Sequence, residues 1–597
     1  MLIAFISSII ILLIGIIIYY VKFKKQRKMK NNIFYALLIG ILMISILIFP
    51  LEGHYKNIYT RILASFFYAI KCAGMGQELD LLSQIILKDV IGYCYFILLN
   101  LLFLIMPILT VGFILSFLEN IWLKIQFLFL KKKELHIFSI FNEKSLLIAK
   151  NLQKEKNNEI LFANVTDKNK IPIRAMYTKD KITNIKLNQW KNHITIYMIS
   201  DKEDDNLTQT LELIEKQKEN ENITIKVFHN KEEASIILDS TEKGKIVVDV
   251  INEKERAIFN LLEDTPLFLK CSNKTISLLI IGCGNVGKEF LKDSIWCSTM
   301  IGYHTKILVI DKNANDRKEE IEIECPELLQ YYDITFIESD IKKEKAIKEI
   351  NKRKDIKYIV VSMDTDDKNI ETAILLRRMF IKEWNQEPII NLWIENEYKR
   401  KQISAMKNEK HNSYQLNSFG SIEDLYDNNK IMNSELEKKA REIHLFYDPE
   451  DIYFQKYNLL ESNKRSSRAS ALHRKYKYYS ILQESYTEDE ETNKKLLKNK
   501  YNKEIEEQLI KNEHERWNAY MRSMGYTKAT IEEVNNYYPI THHYIHYLAK
   551  MHPAIVKYEE LDKISKELSK ITKKEINLKE YDKKIIKNIV EKSSVKE

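Results

Sequence analysis

The sequence predicts an α/β fold behind a membrane segment: three N-terminal transmembrane helices, two doubly wound parallel sheets, and a mostly helical C-terminal domain. About 130 residues at the start of the 597 are strongly apolar, whereas the remainder is rich in Lys, Glu, Asn and Ile. After residue 133, short apolar runs alternate with amphipathic stretches, as in βαβ units. A G-x-G-x-x-G cluster closes one of those runs. The predicted domains are residues 1–130, 131–265, 266–433 and 434–597.

Three apolar segments are each long enough to cross the hydrocarbon core of a bilayer. They are Leu2–Tyr20, Ile33–Leu51 and Ile91–Phe117. The third contains a polar interruption, Asn100, and Pro107, which predicts a kink. A cleaved signal peptide is the alternative for the first segment, but basic residues follow that segment and none precedes it.

Basic residues decide the predicted orientation, because they cluster after the first and third segments. Basic loops stay on the cytoplasmic side, so the N-terminus is expected outside and the later domains in the cytoplasm of a multi-pass cell-membrane protein. The cysteines support the cytoplasmic location of the later domains. The six cysteines include no C-x-x-C pair, which predicts free thiols in a reducing compartment and no bound metal. The basic residues are Lys22, Lys24, Lys25, Arg27, Lys28 and Lys30, then Lys131, Lys132 and Lys133.

The external segment Glu52–Asp89 contains a helix-like, aromatic-rich stretch, Asn57–Lys71, followed by Gly74 and Gly76. A helix that ends in a glycine pair between two spans is compatible with a re-entrant pore loop. The other interpretation, which we favour, is an amphipathic helix lying on the outer leaflet. The segment lacks the Thr-Val-Gly-Tyr-Gly filter of potassium channels, so potassium selectivity does not follow.

The cytoplasmic part contains two sets of apolar runs that look like a duplication. Both sets have the length and β-branched composition of buried parallel strands. The first set is Leu135–Phe141, Ile160–Ala163, Ile194–Ile199, Ile223–Phe228 and Lys245–Val250; the second begins at Ile276 and continues with Lys306–Ile310, Ile334–Ile337, Tyr358–Met363 and Ile389–Ile394.

The glycine cluster follows the first strand of the second set and opens an amphipathic stretch. Strand, G-x-G-x-x-G and helix together form the dinucleotide-binding (Rossmann) fingerprint. The first glycine is expected to make the tight turn, the second to admit a pyrophosphate, and the third to let the helix pack closely. The helix N-terminus would point its amides at the phosphates. The predicted contact residues of this loop are Gly282, Gly284, Asn285, Val286 and Gly287.

Acidic residues follow the next three strands of the second set. Asp311 ends the second strand, where an acid can bind ribose hydroxyls. Asp340 follows the third strand, near the expected place of an adenine ring. Asp364 begins an acidic stretch, residues 364–367, after the fourth strand. Ligand contact and helix capping both remain open for that stretch.

The first set lacks the three glycines. Ser139, Phe141 and Lys144 occupy the corresponding positions. A phenylalanine where the backbone must touch a pyrophosphate blocks that contact. The first half is therefore predicted to be a scaffold rather than a nucleotide site.

Residues 131–430 resemble tandem TrkA-N domains, the regulator-of-potassium-conductance (RCK) type found on bacterial ion transporters and channels. The matching stretches are LIIGCGNVG at 279–287, VID at 309–311 and ESD at 338–340. The resemblance implies NAD(H) or an adenine nucleotide as ligand, assembly into dimers or rings, and control of a membrane partner through a change of shape. The degenerate first half and the missing selectivity filter depart from the family pattern.

From residue 434 onward the alternation disappears and the sequence reads as helical. It contains NEHERWN at 512–518, with shorter motifs at 466–472, 552–553, 558–561 and 581–582. These motifs resemble the RyR domain, the small helical module repeated in ryanodine receptors and found singly in prokaryotic proteins, over roughly residues 455–590.

His514, Arg516 and Trp517 are the candidate ligand-binding residues of this domain. An indole can stack on a planar ring, and a guanidinium can pair with a phosphate. The alternative is that Trp517 anchors the core and that Glu513–Arg516 are charges on a helix surface. A zinc pair is not expected, because the residue four positions after His514 is Asn518.

The leading hypothesis is a nucleotide-responsive membrane effector or channel-like protein, not an enzyme, whose cytoplasmic domains sense a ligand and gate the membrane segment. The resemblance further implies a role in antiviral signalling. Three spans per chain are too few for a pore, so a homo-oligomer in contact with membrane lipid is expected. With 92 basic against 83 acidic residues and no concentrated basic stripe, no nucleic-acid partner is expected.

Two alternatives belong to other functional classes. The first is a regulatory NAD(H)- or nucleotide-binding subunit of a potassium or other ion transport system. The second is an oxidoreductase, which is disfavoured because no Tyr-x-x-x-Lys or comparable proton-transfer pair is placed beside the glycine loop.

Overall fold

A computed structural model describes most of the chain and divides it into two compact units, Met1–Lys131 and Lys132–Glu597. The two units are described separately. The described residues are 2–23, 29–74, 76, 85, 90–129, 133–166, 173–185, 187, 190, 192–271, 273–406, 414–426 and 435–590.

The N-terminal unit is helical. Within the described residues, one helix segment, Val90–Ile114, is long and apolar enough to cross a membrane. Leu2–Ile16 and Phe34–Ile48 are shorter apolar stretches. The described residues thus contain one candidate membrane span, and three spans remain a prediction. The helices are α1 (Leu2–Phe23), α2 (Met29–Ile48), α3 (Ile58–Ala73) and α4 (Val90–Phe129).

Helix α3 corresponds to the predicted helix before the glycine pair. The Asn57 side chain caps it by accepting a hydrogen bond from the Tyr59 amide at 2.9 Å. Arg61 donates to the carbonyls of Phe49 and Pro50 at 2.6 and 2.8 Å, which ties α3 to the end of α2. Met75 and residues 24–28 and 131–132, which include most of the basic residues, lie outside the described residues, so the pore-loop question and the orientation remain predictions.

The polar residues of α4 are accommodated within the helix. Asn100 Nδ2 donates to the Phe96 carbonyl at 2.8 Å, one helical turn earlier. Helix α4 also continues through Pro107.

The second unit contains two six-stranded parallel sheets with the same strand order. The first runs β3-β2-β1-β4-β5-β6 and the second β9-β8-β7-β10-β11-β12, which is the Rossmann order with a switch point beside the first strand. The predicted α/β class is confirmed. The strands are β1 (Glu134–Phe138), β2 (Asn158–Phe162), β3 (Met176–Tyr177), β4 (Ile194–Met198), β5 (Ile223–Phe228), β6 (Val247–Ile251), β7 (Thr275–Ile281), β8 (His304–Asp311), β9 (Asp333–Glu338), β10 (Tyr358–Val361), β11 (Ile389–Trp393) and β12 (Leu416–Phe419).

Two of the four edge strands, β3 and β12, are not predicted by the apolar runs of the sequence. The first has only two residues, and the second places Asn417 and Ser418 between its apolar ends. The helices of this part are α5 (Glu143–Leu152), α6 (Glu203–Gln217), α7 (Glu232–Ser240), α8 (Glu253–Asp264), α9 (Asn285–Cys297), α10 (Ala314–Glu324), α11 (Leu328–Tyr331), α12 (Glu344–Asn351), α13 (Asp366–Trp384), α14 (Glu397–Met406) and α15 (Ile422–Leu425), with a 3₁₀ turn at Ile182–Asn184.

The C-terminal region is mostly helical, as predicted. Its secondary structure also includes one short two-stranded sheet. The elements are α16 (Glu435–Tyr447), α17 (Gln455–Leu459), α18 (Glu461–Leu482), α19 (Glu490–Lys500), α20 (Lys503–Ser523), β13 (Thr527–Lys528), α21 (Ile531–Thr541), β14 (Met551–His552), α22 (Leu561–Thr572) and α23 (Lys579–Val590), with 3₁₀ turns at Gln483–Ser485 and Tyr558–Glu560.

Helix α9, which follows the glycine loop, joins the parts of this unit into one core. Its Trp296 is fully buried. The indole packs edge-on against Phe259 of α8 and Tyr520 of α20, with ring centroids 5.7 and 6.2 Å away. Helix α8 of the first Rossmann half, the second sheet and the helical region therefore share apolar surface with the helix that carries the glycine loop.

The same helix carries a buried carboxyl group. Asp293 is 1% exposed and accepts a hydrogen bond from the Trp296 indole at 2.9 Å. Burial raises the pKa of Asp293 to about 7, against roughly 4 in an unfolded chain. Since the folded state holds the proton more tightly, this carboxyl favours folding below pH 4, and that contribution is lost as the pH rises through 7.

We expect the wild-type protein to gain roughly 2 kcal/mol of stability relative to Asp293→Asn when the pH falls from 8 to 5. The variant carries no titratable group at this position, so it lacks this contribution. Urea unfolding of both proteins across this pH range measures the difference. Parallel pH profiles would show that Asp293 does not hold its proton in the fold.

Candidate functional site

A cleft of about 930 Å³ lies at the carboxyl ends of strands β7 to β11. It occupies both sides of the switch point between β7 and β10, where open α/β sheets bind their ligands. Seven of the eight residues predicted for this site line it; Gly287 lies behind the loop instead. The seven are Gly282, Gly284, Asn285, Val286, Asp311, Asp340 and Asp364.

The three glycines have different environments. Gly282 has φ +86°, and a Cβ there would lie 2.6 Å from the Ser362 carbonyl oxygen. A Cβ on Gly287 would lie 2.0 Å from the Gly282 carbonyl oxygen. A Cβ on Gly284 would meet no heavy atom within 4 Å. Two glycines are therefore required by the turn and by the packing of α9, and the middle one borders open space.

The N-terminus of α9 borders this open space. The helix begins at Asn285 with Gly284 as its N-cap, and no side chain caps it. The first amides of an α-helix lack intrahelical acceptors, and the helix dipole places partial positive charge there. The loop thus offers amide donors to an anion in the cleft.

Asp311 braces the glycine loop. Its Oδ2 accepts a hydrogen bond from the Cys283 amide at 2.7 Å, and its Oδ1 accepts from the Asn313 amide at 2.8 Å. A carboxylate oxygen has two lone pairs, so both oxygens can still accept from a ligand hydroxyl. Ribose binding by Asp311 remains a prediction. The hydrogen bond to Cys283 is a structural role that sequence reasoning did not identify.

The other two predicted acids are ionised partners of lysines. Asp340 lies 3.0 Å from Lys312 Nζ, and Asp364 lies 2.6 Å from Lys368 Nζ. The Lys342 amide and the Lys312 ammonium hold the pKa of Asp340 below its usual value, and the Lys368 hydrogen bond does the same for Asp364. Both carboxylates therefore stay charged at neutral pH.

Ligand contact and helix capping were both open for the acidic stretch 364–367, and the structure gives its residues different environments. Thr365 caps α13 by accepting from the Lys368 amide, and Asp366 accepts from the amides of Glu395 and Asn396 at 3.1 and 3.0 Å. These contacts support the capping interpretation for the middle of the stretch. Asp364 lines the cleft.

Sequence reasoning missed several residues of the cleft. Trp393 ends β11, is 9% exposed, and donates from its indole to Glu395 at 3.1 Å. Its position at the carboxyl end of a predicted strand could have identified it as a cleft residue from the sequence. Lys254 comes from α8, in the first Rossmann half, and no sequence pattern links it to the glycine loop. The other charged residues missed are Lys312, Arg317, Lys368, Glu395 and Lys399.

In the first Rossmann half, protein side chains engage the corresponding positions. Ser139 Oγ accepts from the Ile199 amide at 3.1 Å. Phe141 packs edge-on against Phe162 at 5.3 Å, and Lys144 lies 2.9 Å from Glu253. These contacts fit the predicted scaffold role.

Two of the three residues predicted to bind a ligand on the C-terminal domain are buried in the structure. His514 and Arg516 are 3% and 1% exposed. His514 is bonded through Nε2 to the Val556 carbonyl at 2.9 Å and lies 3.2 Å from Asp582. A guanidinium enclosed in this way does not meet a phosphate from outside. Trp517 is half-buried and stacks against His514 with centroids 5.7 Å apart, as a core anchor would.

Glu513 is the centre of a buried charge cluster. It accepts two hydrogen bonds from Arg516, at 2.9 and 3.0 Å, and lies 2.7 Å from Lys477 Nζ. Burial alone would raise the pKa of Glu513, but the two cations lower it to about 2. Glu513 is therefore a buried charge and not a helix-surface charge, whereas Glu515 is exposed. Among the described residues, no group of His, Cys, Asp and Glu could hold a metal ion.

No protein-family model and no curated protein matches the chain. Among solved structures, it is similar to one described as "GsuK Channel", with 15% identity, 67% of this chain and 94% of that chain covered, and a TM-score of 0.33. Another, described as "Crystal structure of the GsuK bound to ADP", gives 13% identity, coverage of 68% and 97%, and a TM-score of 0.31. Likeness at this level does not align individual residues, so the site is defined by its own geometry.

Alanine at Gly287 should destabilise the fold by about 2 kcal/mol or more, because its methyl group would overlap the Gly282 carbonyl oxygen. Alanine at Gly284 should change stability by less than about 1 kcal/mol, since its methyl group enters open space. Thermal unfolding of the two variants tests this difference. Equal destabilisation would contradict the loop geometry.

Replacing Glu513 with Gln should cost about 3–5 kcal/mol, because Lys477 and Arg516 would remain buried without their carboxylate. The matched control is Glu515→Gln on the exposed side of the same helix, with an expected change within about 0.5 kcal/mol. Chemical denaturation measures both. If Glu513→Gln left the free energy of unfolding unchanged, the charge cluster would lie at the surface and not in the interior.

Proposed function

We propose that the chain is a nucleotide-responsive membrane protein that binds NAD(H) or an adenine nucleotide without transforming it. The ligand lies in the glycine-loop cleft, and its binding gates the membrane segment. The observation that carries the proposal is the open space beside Gly284, bordered by the uncapped N-terminus of α9. The finer assignments, a TrkA-N/RCK-like Rossmann pair and a RyR-like helical module, belong to this proposal.

The dimensions of the cleft support a nucleotide. Its volume of about 930 Å³ is near the upper end of the usual range for small-molecule sites, roughly 300–1,000 Å³. It reaches Asp340 on one side of the glycine loop and Trp393 on the other. A base and ribose can occupy one side while the phosphates lie over the loop.

Helix α9 provides the route for a response. Its first turn borders the ligand, and its Trp296 packs against α8 and α20. A ligand that prefers one position of α9 therefore favours one packing of both neighbouring domains. In the chain, residues 130–133 separate α4 from β1, so a short covalent connection joins the first Rossmann half to the apolar helix.

In this proposal the protein is a homo-oligomer in the cell membrane, with its N-terminus outside and its Rossmann and helical domains in the cytoplasm. Three predicted spans per chain require several subunits to enclose a pore. Membrane lipid and a small-molecule nucleotide are the partners, and nucleic acid is not. A contribution to antiviral signalling is one setting for such a response.

A regulatory subunit is the second candidate function. It requires the glycine-loop cleft and a membrane anchor, for which Val90–Ile114 is long and apolar enough. Such a chain would bind its nucleotide in the same cleft and control a separate potassium or other ion transporter. Co-purification of a multi-span partner with the full-length chain would support this candidate.

Liposomes that contain the full-length protein should show ion flux that depends on NAD(H), ATP or ADP. Gly284→Asp should abolish this dependence, because a carboxylate would enter the phosphate position. Gln508→Glu, which adds the same charge on an exposed face of α20, is the control and should behave like wild type. The absence of ligand-dependent flux from folded wild-type protein would contradict the gating proposal.

A further inference from the structure

We propose that Lys254, from the first Rossmann half, binds a phosphate group of the ligand held by the glycine loop of the second half. The inference rests on the proposed function and deepens it in two ways. It names a side chain that binds the phosphate of the ligand, and it makes the first half part of the binding site.

The backbone of Lys254 is held in place beside the cleft. Lys254 lies in the first turn of α8, where Asn252 accepts hydrogen bonds from the amides of Lys254 and Glu255, both at 3.1 Å. The Glu253 amide donates to Asn230 Oδ1 at 2.9 Å, which ties this turn to the loop after β5. The side chain of Lys254 therefore starts from a fixed point, and it lines the glycine-loop cleft together with Gly284 and Asn285.

The two neighbours of Lys254 already have charged partners. Glu253 lies 2.9 Å from Lys144 Nζ, and Glu255 lies 3.1 Å from Arg465 Nε. Each of these carboxylates therefore forms its salt bridge with a cation other than Lys254. In the described part of the chain, no carboxylate lies at ion-pair distance from the Lys254 ammonium group.

The other cations of the cleft are all paired. Five basic residues line it, and within the described residues Lys254 is the one without a salt bridge. Lys254 is half-buried and interacts electrostatically with Glu203, but it has no salt bridge within the described residues. A cation without a salt-bridge partner favours an anionic ligand over a neutral one. The four pairs are Lys312–Asp340, Arg317–Glu320, Lys368–Asp364 and Lys399–Asp367.

Phosphate fits this position better than a nucleobase or a sugar. The glycine loop supplies amide donors and open space at Gly284, and Lys254 supplies a full positive charge beside them. Amides come from one Rossmann half and the charge from the other. A bound phosphate therefore links α8 to α9, and removing it removes that link.

Calorimetric titration of the full-length protein in detergent with ADP and with adenosine tests the assignment. Lys254→Gln should weaken ADP binding about tenfold, the value of one charge-assisted hydrogen bond, and leave adenosine binding unchanged. Lys231→Gln is the matched control, because Lys231 is exposed and lies outside the glycine-loop cleft; it should change neither affinity. Lys254→Arg, which keeps the charge, should retain most of the ADP affinity.

The outcomes separate this inference from the proposed function. If wild type and Lys254→Gln bind ADP equally, the role of Lys254 is overturned and the nucleotide site stands. If Lys254→Gln weakens adenosine and ADP equally, Lys254 shapes the cleft and does not bind phosphate, which also overturns the inference. If the wild-type protein binds neither compound, both the inference and the proposed function fail.

Discussion

The close approach of helix α9 to strand β7 is the constraint on which the rest of the cytoplasmic unit depends. It exists because Gly287 has no side chain to collide with the Gly282 carbonyl, 2.0 Å from where a Cβ would lie. The same helix begins at the open space beside Gly284 and buries Trp296 near its other end. One rigid element thus joins the candidate ligand cleft to the core that all three parts of the unit share.

Buried charges fix the helical region against that core. Lys464 of α18 donates to Asp249 of β6, and Arg468 pairs with Glu461 and Glu437. Charges removed from water stabilise a structure only when their partners are correctly placed, so such clusters favour one arrangement of the domains over others. The glycine-loop cleft differs from these buried and paired clusters. Its charged groups are partly exposed, and Lys254 forms no salt bridge among the described residues.

Much of the fold could be predicted because local patterns and global structure agree. The ten strands predicted from apolar runs are all present, and the glycines have the conformations that the fingerprint implies. Two strands escaped prediction because an edge strand needs little apolar sequence, as Asn417 and Ser418 in β12 show. In the site, Asp311 could be predicted from its place at a strand end, but its hydrogen bond to Cys283 required the folded loop.

By itself, the sequence determined the α/β class, the glycine loop with its following acids, and the apolar N-terminal segment, because each depends on residues close together in the chain. Tertiary structure decided which charged residues face outward. The helix that carries Glu513, His514 and Arg516 turns these side chains into the protein. There Glu513 pairs with Lys477 and Arg516, and His514 lies 3.2 Å from Asp582. It also brought Lys254 to the glycine loop from 28 residues before Gly282. Burial and long-range pairing depend on how helices pack, which no local pattern encodes.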